Sequence, residues 1–179
     1  MRESGESYLM NVVLTGFMGT GKTAVGKKLA RALRMKFINT DDLIEEESKM
    51  TIPQMFDKFG EEHFRQIERE MVARVSNLDN YVISTGGGVV LDPDNIQDLK
   101  RNGIVVCLKA SPDAILKRTS SEKHRPLLEG AKPKEKIEKL LSYREPYYSI
   151  SADYTIDTSS LPVDRIVAEI IKYLRGHKQ

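Results

Sequence analysis

Gly16-Phe17-Met18-Gly19-Thr20-Gly21-Lys22-Thr23 follows the apolar run Val12-Val13-Leu14 and precedes the helical pattern Ala24 to Leu33. The octapeptide fits G-x-x-x-x-G-K-[ST], and it stands between strand and helix, the setting this phosphate-binding loop requires. Gly16, Gly19 and Gly21 permit backbone conformations that a side chain would block, so successive N–H groups can line a concave anion site at a helix N-terminus. A polyphosphate belongs there. Lys22 would reach its β- and γ-phosphates as a mobile point charge, and the Thr23 hydroxyl would ligate a Mg²⁺ bridging the same oxygens. The bland alternative, a glycine turn without a ligand, leaves the Lys-Thr pair unexplained.

Composition narrows the partner. The chain has 179 residues, 40% hydrophobic and 30% charged, which suits one soluble α/β domain. Its 28 basic and 26 acidic residues are interspersed and leave a net charge of +2, too little to hold a nucleic-acid backbone or an anionic membrane. No apolar run approaches the ~20 residues of a membrane span. A monomeric cytoplasmic protein with a small-molecule partner is expected. The single cysteine, Cys107, lies in the run Val105 to Leu108 and reads as a buried structural thiol. His63, His124 and His177 show no metal-ligand spacing and read as surface or packing residues.

In chain order, residues 1–9 are polar and patternless and are expected to be a disordered tail before a single domain over 10–179. Strands are expected over Asn11 to Thr15, Lys36 to Asn39, Tyr81 to Ser84, Ile104 to Leu108 and Tyr154 to Ile156. Helices are expected over Lys22 to Arg34, Leu43 to Lys49 capped from Thr40-Asp41-Asp42, Ile52 to Phe59 ended by Gly60, and Glu61 to Leu78. Further helices run from Asp92-Pro93 to Arg101, Asp113 to Thr119 after the Ser111-Pro112 cap, Lys134 to Tyr143, and Val163 to Arg175. The helices of about 42–78 form an insertion. Residues 120–133 lose all pattern and are expected to form a lid, because phosphoryl transfer to anything but water requires water to be shut out. Arg125 would be the lid arginine that stabilises charge on the transferring group.

Alternating strands and helices imply an α/β three-layer sandwich: a five-stranded parallel sheet covered on both faces, with ligands at the carboxyl ends of its strands. The first strand ends in the phosphate loop. The second ends in Asn39-Thr40-Asp41-Asp42 and the third in Ser84-Thr85-Gly86-Gly87-Gly88. Three successive glycines exceed what a turn needs and suggest a surface that a ligand approaches closely. Asp41 could be no more than a helix cap, yet its place beside the phosphate loop suits a partner for a substrate hydroxyl. Arg65 could be a solvated charge; Phe64 beside it would face the other way.

The chain resembles the shikimate kinases from Met10 onward, on several motifs in order. They are the loop at 16–23, Thr40-Asp41 with Ile44-Glu45, Gly60-Glu61 through Phe64-Arg65-Gln66-Ile67-Glu68, Gly86-Gly87-Gly88, Arg125-Pro126-Leu127, and Tyr143-Arg144-Glu145-Pro146-Tyr147-Tyr148. The resemblance implies Mg²⁺-dependent transfer of the ATP γ-phosphoryl group to the 3-hydroxyl of shikimate, in aromatic amino-acid biosynthesis. It implies the nucleoside monophosphate kinase-like fold with strand order 2-3-1-4-5. It also implies that Gly19, Thr20, Gly21, Lys22, Thr23 and Ala24 bind ATP, with Arg118 against the adenine and Arg125 on the phosphates. Asp41 would accept the hydrogen bond of the reacting hydroxyl, and Arg65 and Arg144 would hold the carboxylate. Gly87 would offer its N–H to the ring hydroxyls from the turn it shares with Gly86 and Gly88, while Phe56, Phe64 and Glu68 line and brace the pocket. A small polyol carboxylate does need planar guanidinium groups and a carboxylate acceptor, so the chemistry agrees.

One position departs from the family pattern. Where the family usually carries Asp-x-Asp, this chain has Asn39-Thr40-Asp41, so Asn39 and Ser84 are the expected holders of the metal's water shell and an anionic supporter is missing. Other readings of the phosphate loop fit less of the chain. A gluconate-type kinase would not need the Arg65 and Arg144 pair, a GTP switch would carry Asn-Lys-x-Asp after the fourth strand, and a nucleotide sensor would need no polyol pocket.

Overall fold

Every residue of β1 (Asn11–Thr15) is buried, because the sheet is covered on both faces. The computed structural model describes residues 10–120 and 132–177. β1 pairs in parallel with β3 (Tyr81–Ser84) on one side and β4 (Gly103–Lys109) on the other. β2 (Lys36–Asn39) and β5 (Tyr154–Asp157) form the edges, giving the expected order β2-β3-β1-β4-β5. In this register Asn39 lies opposite Ser84, and Leu14 lies opposite both Ser84 and Val106, so the three chemically unusual strand ends converge.

The pleat divides the core in two. Val12 and Leu14 face α1 (Lys22–Leu33) and α7 (Val163–Gly176), packing on Val25, Leu29, Ile166 and Ile170. Val13, with Ile83, Val105 and Cys107, faces the opposite layer built by α2 (Thr40–Ser48), α3 (Ile52–Val75), α4 (Pro93–Arg101) and α6 (Pro133–Ser151). α5 (Pro112–Thr119) contributes Ile115 to that second core. Burial pushes the Cys107 thiol up to about 11, so it is neutral at physiological pH and acts as an apolar filler.

Two helices differ from expectation and a third is broken where expected. α2 begins at Thr40, three residues early, because the Asn39 side chain accepts from Asp41 N–H and is itself the N-cap. α3 is kinked at Gly60 (φ 83°, ψ 170°), where the sequence placed the end of one helix and the start of the next, as expected. α6 runs through Pro146 to Ser151 instead of stopping at Tyr143. Its buried residues Ile137, Arg144, Tyr148 and Ser151 share one face, and their packing outweighs the proline penalty of roughly 3 kcal/mol. Two of those four are polar, which hid the face from a hydrophobic pattern. A single 3-10 turn at Val89–Leu91, not expected, follows the glycines. The tail over 1–9 and most of the lid expected over 120–133, including Arg125 and His124, lie outside the described residues.

Candidate active site

The phosphate loop has Gly16, Gly19 and Gly21 all at positive φ (135°, 73° and 96°), and Gly21 is the left-handed N-cap of α1 with no side chain closing that end. The helix terminus is therefore open to an anion. Lys22 Nζ donates to the Gly16 and Phe17 carbonyls at 2.7 and 2.9 Å, which holds it across the mouth of the loop. Thr20 is buried, and both its hydroxyl (2.7 Å) and its backbone N–H (3.4 Å) donate to Phe17 O, which braces the loop from within. Arg118 donates through Nη1 to Gly19 O (3.2 Å) and through Nη2 to Thr158 O (2.5 Å). This fork ties the loop to the β5–α7 connection and fixes the plane of the guanidinium, leaving its faces for stacking.

Thr23 faces the end of β2. Asn39 Nδ2 lies 3.5 Å from Thr23 Oγ1, while its Oδ1 is engaged by Asp41 N–H at 3.0 Å. The backbone amide assigns the orientation, since only the carbonyl oxygen can accept from it. Asn39 thus turns an N–H donor, and no acceptor, toward the threonine hydroxyl.

The other half of the site is built on α2, α3, α6 and the glycine turn. Arg65 Nη1 pairs with Glu68 Oε2 at 2.6 Å and Nη2 with Glu61 Oε1 at 2.9 Å, the neighbours that i,i+3 and i,i+4 spacing provides. Its guanidinium carbon sits 5.3 Å from the centre of the Phe64 ring. Phe64 does not face away from Arg65 as expected: both line the cavity, and Phe64 also packs on Phe56 at 5.0 Å. Burial acts against the charge of Arg65, but the two glutamates outweigh it and raise its pKa. Arg144 is buried, lies 5.7 Å over the Phe17 ring, and has no hydrogen-bond partner at Nε.

Asp41 and Glu68 are both pushed above the usual carboxylate range, chiefly by burial. Lys22 opposes the shift of Asp41, and Arg65 opposes that of Glu68. Among the described residues, Asp41 Oδ1 and Glu68 Oε1 are buried without a hydrogen-bond partner. The glycine turn explains how they fit. A Cβ at Gly86 would stand 2.7 Å from Asp41 Oδ1 and 2.9 Å from Glu68 Oε1, and one at Gly88 would stand 2.4 Å from Arg65 Nη1. Gly86 therefore lies beneath the two carboxylates and makes room for them, whereas Gly87 and Gly88 line the cavity itself.

One cavity of about 720 Å³ joins the two halves. It brings together Gly19, Gly21, Lys22, Thr23, Ala24 and Arg118 on the loop side with Asp41, Phe56, Phe64, Arg65, Glu68 and Arg144 on the other. Asn39 and Ser84 lie between them. Of the residues expected, Thr20 and Gly86 support it from behind, and Arg125 is outside the described residues. Glu61 and Tyr148, quoted only within the family motifs, were given no role from the sequence. Tyr148 Oη donates to Gly87 O at 2.6 Å, and its spacing of four from Arg144 on one helix was the available signal.

The shikimate kinase family model matches residues 18–175. Shikimate kinase of Thermoanaerobacter pseudethanolicus is 49% identical over 171 residues, covering 95% of this chain and 99% of the relative. That of Thermodesulfovibrio yellowstonii is 44% identical over 164 residues, covering 92% and 94%. Among solved structures, shikimate kinase from Acinetobacter baumannii in complex with shikimate superposes with a TM-score of 0.91 at 37% identity, covering 95% of each chain. The Aquifex aeolicus enzyme superposes with a TM-score of 0.78 at 33% identity, covering 93% of this chain and 97% of that one. The chain belongs to the shikimate kinase family, enzymes that transfer a phosphoryl group from ATP to shikimate.

Proposed function

We propose that the two halves of the cavity divide the reaction between them. ATP lies with its phosphates on the loop N–H groups and Lys22, and its base against Arg118. Shikimate lies with its carboxylate on Arg65 and Arg144 and its 3-hydroxyl at Asp41. The observation that carries this division is the set of buried, unpartnered atoms on the acceptor side. Asp41 Oδ1 and Glu68 Oε1 can only accept from hydroxyls while ionised, and Arg144 Nε can only donate. A polyol carboxylate satisfies all three.

The transition state of phosphoryl transfer is loose, so positioning and charge neutralisation do most of the work. Asp41 orients the attacking hydroxyl and takes its proton late. Its burial, which raises its pKa, makes it a better acceptor than an exposed aspartate. Glu68 holds Arg65 against the Gly88 backbone and keeps the fork in one plane. Lys22 leaves the loop carbonyls for the β- and γ-oxygens as they arrive, and Arg125 completes the neutralisation.

The donor set suits Mg²⁺. No group of three or more His, Cys, Asp or Glu side chains among the described residues could cage a metal. Mg²⁺ keeps most of its waters and binds through substrate phosphates with one or two protein oxygens, which Thr23 can supply in a cavity that Ser84 and Asp42 also line. When bound, the ion would neutralise charge on the ATP phosphates. Asn39 would act on Thr23 and not on the ion's waters, because a water needs an acceptor there.

Removing either arginine tests the division. Arg65→Ala and Arg144→Ala should each lower kcat/KM for shikimate by roughly 30- to 1000-fold, the loss of about 2–4 kcal/mol of charge-assisted binding. ATP affinity by calorimetry should hold. Equal weakening of both substrates would contradict it.

A further inference from the structure

Tyr148 is among the largest buried side chains, 2% exposed, and its phenol reaches the glycine turn of the acceptor pocket. Its hydroxyl donates to Gly87 O at 2.6 Å. A hydroxyl has one proton to give and two lone pairs to offer, so Oη can still accept. Arg144 stands four residues earlier on the same buried face of α6, and a Cβ at Gly87 would be 3.6 Å from Arg144 Nη1. The arginine, the phenol and the glycine turn therefore meet at one point. The charge of the Arg144 guanidinium also reaches the phenol, where it favours the ionised form against the effect of burial.

We propose that Tyr148 is a positioning residue for substrate recognition: it locks Arg144 to the Gly87–Gly88 turn, so the carboxylate-binding arginine keeps a fixed offset from the backbone beside the substrate. The inference rests on the assignment of Arg144 to the carboxylate. Arg144 has no carboxylate partner among the described ion pairs, unlike Arg65, which Glu61 and Glu68 hold. A long side chain with free rotamers loses conformational entropy when a ligand fixes it. Tyr148 removes that loss beforehand. The carbonyl and N–H of a trans peptide point in opposite directions, so pinning Gly87 O also fixes Gly88 N–H. Burial drives the phenol well above its ordinary pKa, and it stays protonated and able to donate.

Tyr148→Phe keeps the ring and deletes only the bridge. It should raise the KM for shikimate about 5- to 20-fold, with kcat changed less than about threefold and the KM for ATP unchanged. Thermal unfolding of the same preparation establishes that the variant is folded. In an Arg144→Ala background the same substitution should do nothing further to shikimate, because the group it positions is gone. A folded Tyr148→Phe with parental shikimate KM, additive losses in the double variant, or equal loss toward ATP would each overturn the proposal. If Arg144→Ala itself leaves shikimate KM unchanged, the assignment of the carboxylate site fails. If Arg144→Ala weakens shikimate and Tyr148→Phe does not, only the positioning role fails.

Discussion

Asp41 Oδ1 and Glu68 Oε1 lie buried with no hydrogen-bond partner, which the fold tolerates at a cost in stability. The folded-state pKa of Asp41 lies above its unfolded value of 3.8. Its contribution to stability is therefore present below about pH 3.8 and is lost as pH rises through the folded pKa. At pH 7 the ionised group destabilises the ligand-free protein. Asp41→Asn should raise the melting temperature at pH 7, by roughly 2–4 °C per kcal/mol recovered, and the gap should close as pH falls through that window. The same variant should lose at least ~100-fold in turnover. A variant no more stable than the parent at pH 7 would show that burial of this charge is not what raises its pKa. Asn39 offers a second test at this scale. It places a neutral donor where an aspartate would place an anionic acceptor beside Thr23. Asn39→Asp should lower the Mg²⁺ concentration for half-maximal activity roughly five- to tenfold, about 1 kcal/mol after screening and desolvation. Calorimetric Mg²⁺ binding in the presence of ADP should tighten in step, and an unchanged titration would place position 39 out of reach of the metal.

At the scale of elements, the break in α3 decides the direction of the segment that carries Phe64, Arg65 and Glu68. Gly60 occupies a region of backbone space that is open almost solely to glycine, and no atom lies within 4 Å of where a Cβ would stand. The strain of Gly60→Ala is then torsional and not steric, about 1–3 kcal/mol in chemical denaturation, with shikimate KM rising and ATP KM holding. A change under ~0.5 kcal/mol would mean that the helix simply straightens. This break was legible because glycine ends helices, as were the strands, since each is a short apolar run. The start of α2 was not legible: Asn39 was read for metal chemistry and not for its capping oxygen. The C-terminal half of α6 was missed because Arg144 and Tyr148 are polar residues on a buried face, and their burial depends on β4 and the glycine turn, far away in the chain.

For the molecule as a whole, the phosphate loop dictated the outcome. Once β1 ends in that loop, parallel pairing puts the ends of β2 and β3 on the same edge of the sheet, which made Asn39, Asp41, Ser84 and Gly87 candidates, while the strand order came from the family resemblance. Contacts between distant segments were beyond reach. Arg118 gripping Thr158, 40 residues on, has no local signature, and neither does Thr158 Oγ1 meeting Thr20 O at 3.0 Å across 138 residues. Such bonds tie the nucleotide side into one rigid edge, while the acceptor side is held by ion pairs within α3 and by Tyr148 on α6. The central claim is that this edge and this pocket serve one reaction with one acceptor. A coupled assay of ADP formation with purified protein, Mg²⁺ and ATP tests it most directly. ADP should appear only when shikimate is added, in amounts that match the shikimate consumed. Equal ADP formation with gluconate, or with no acceptor, would contradict the account.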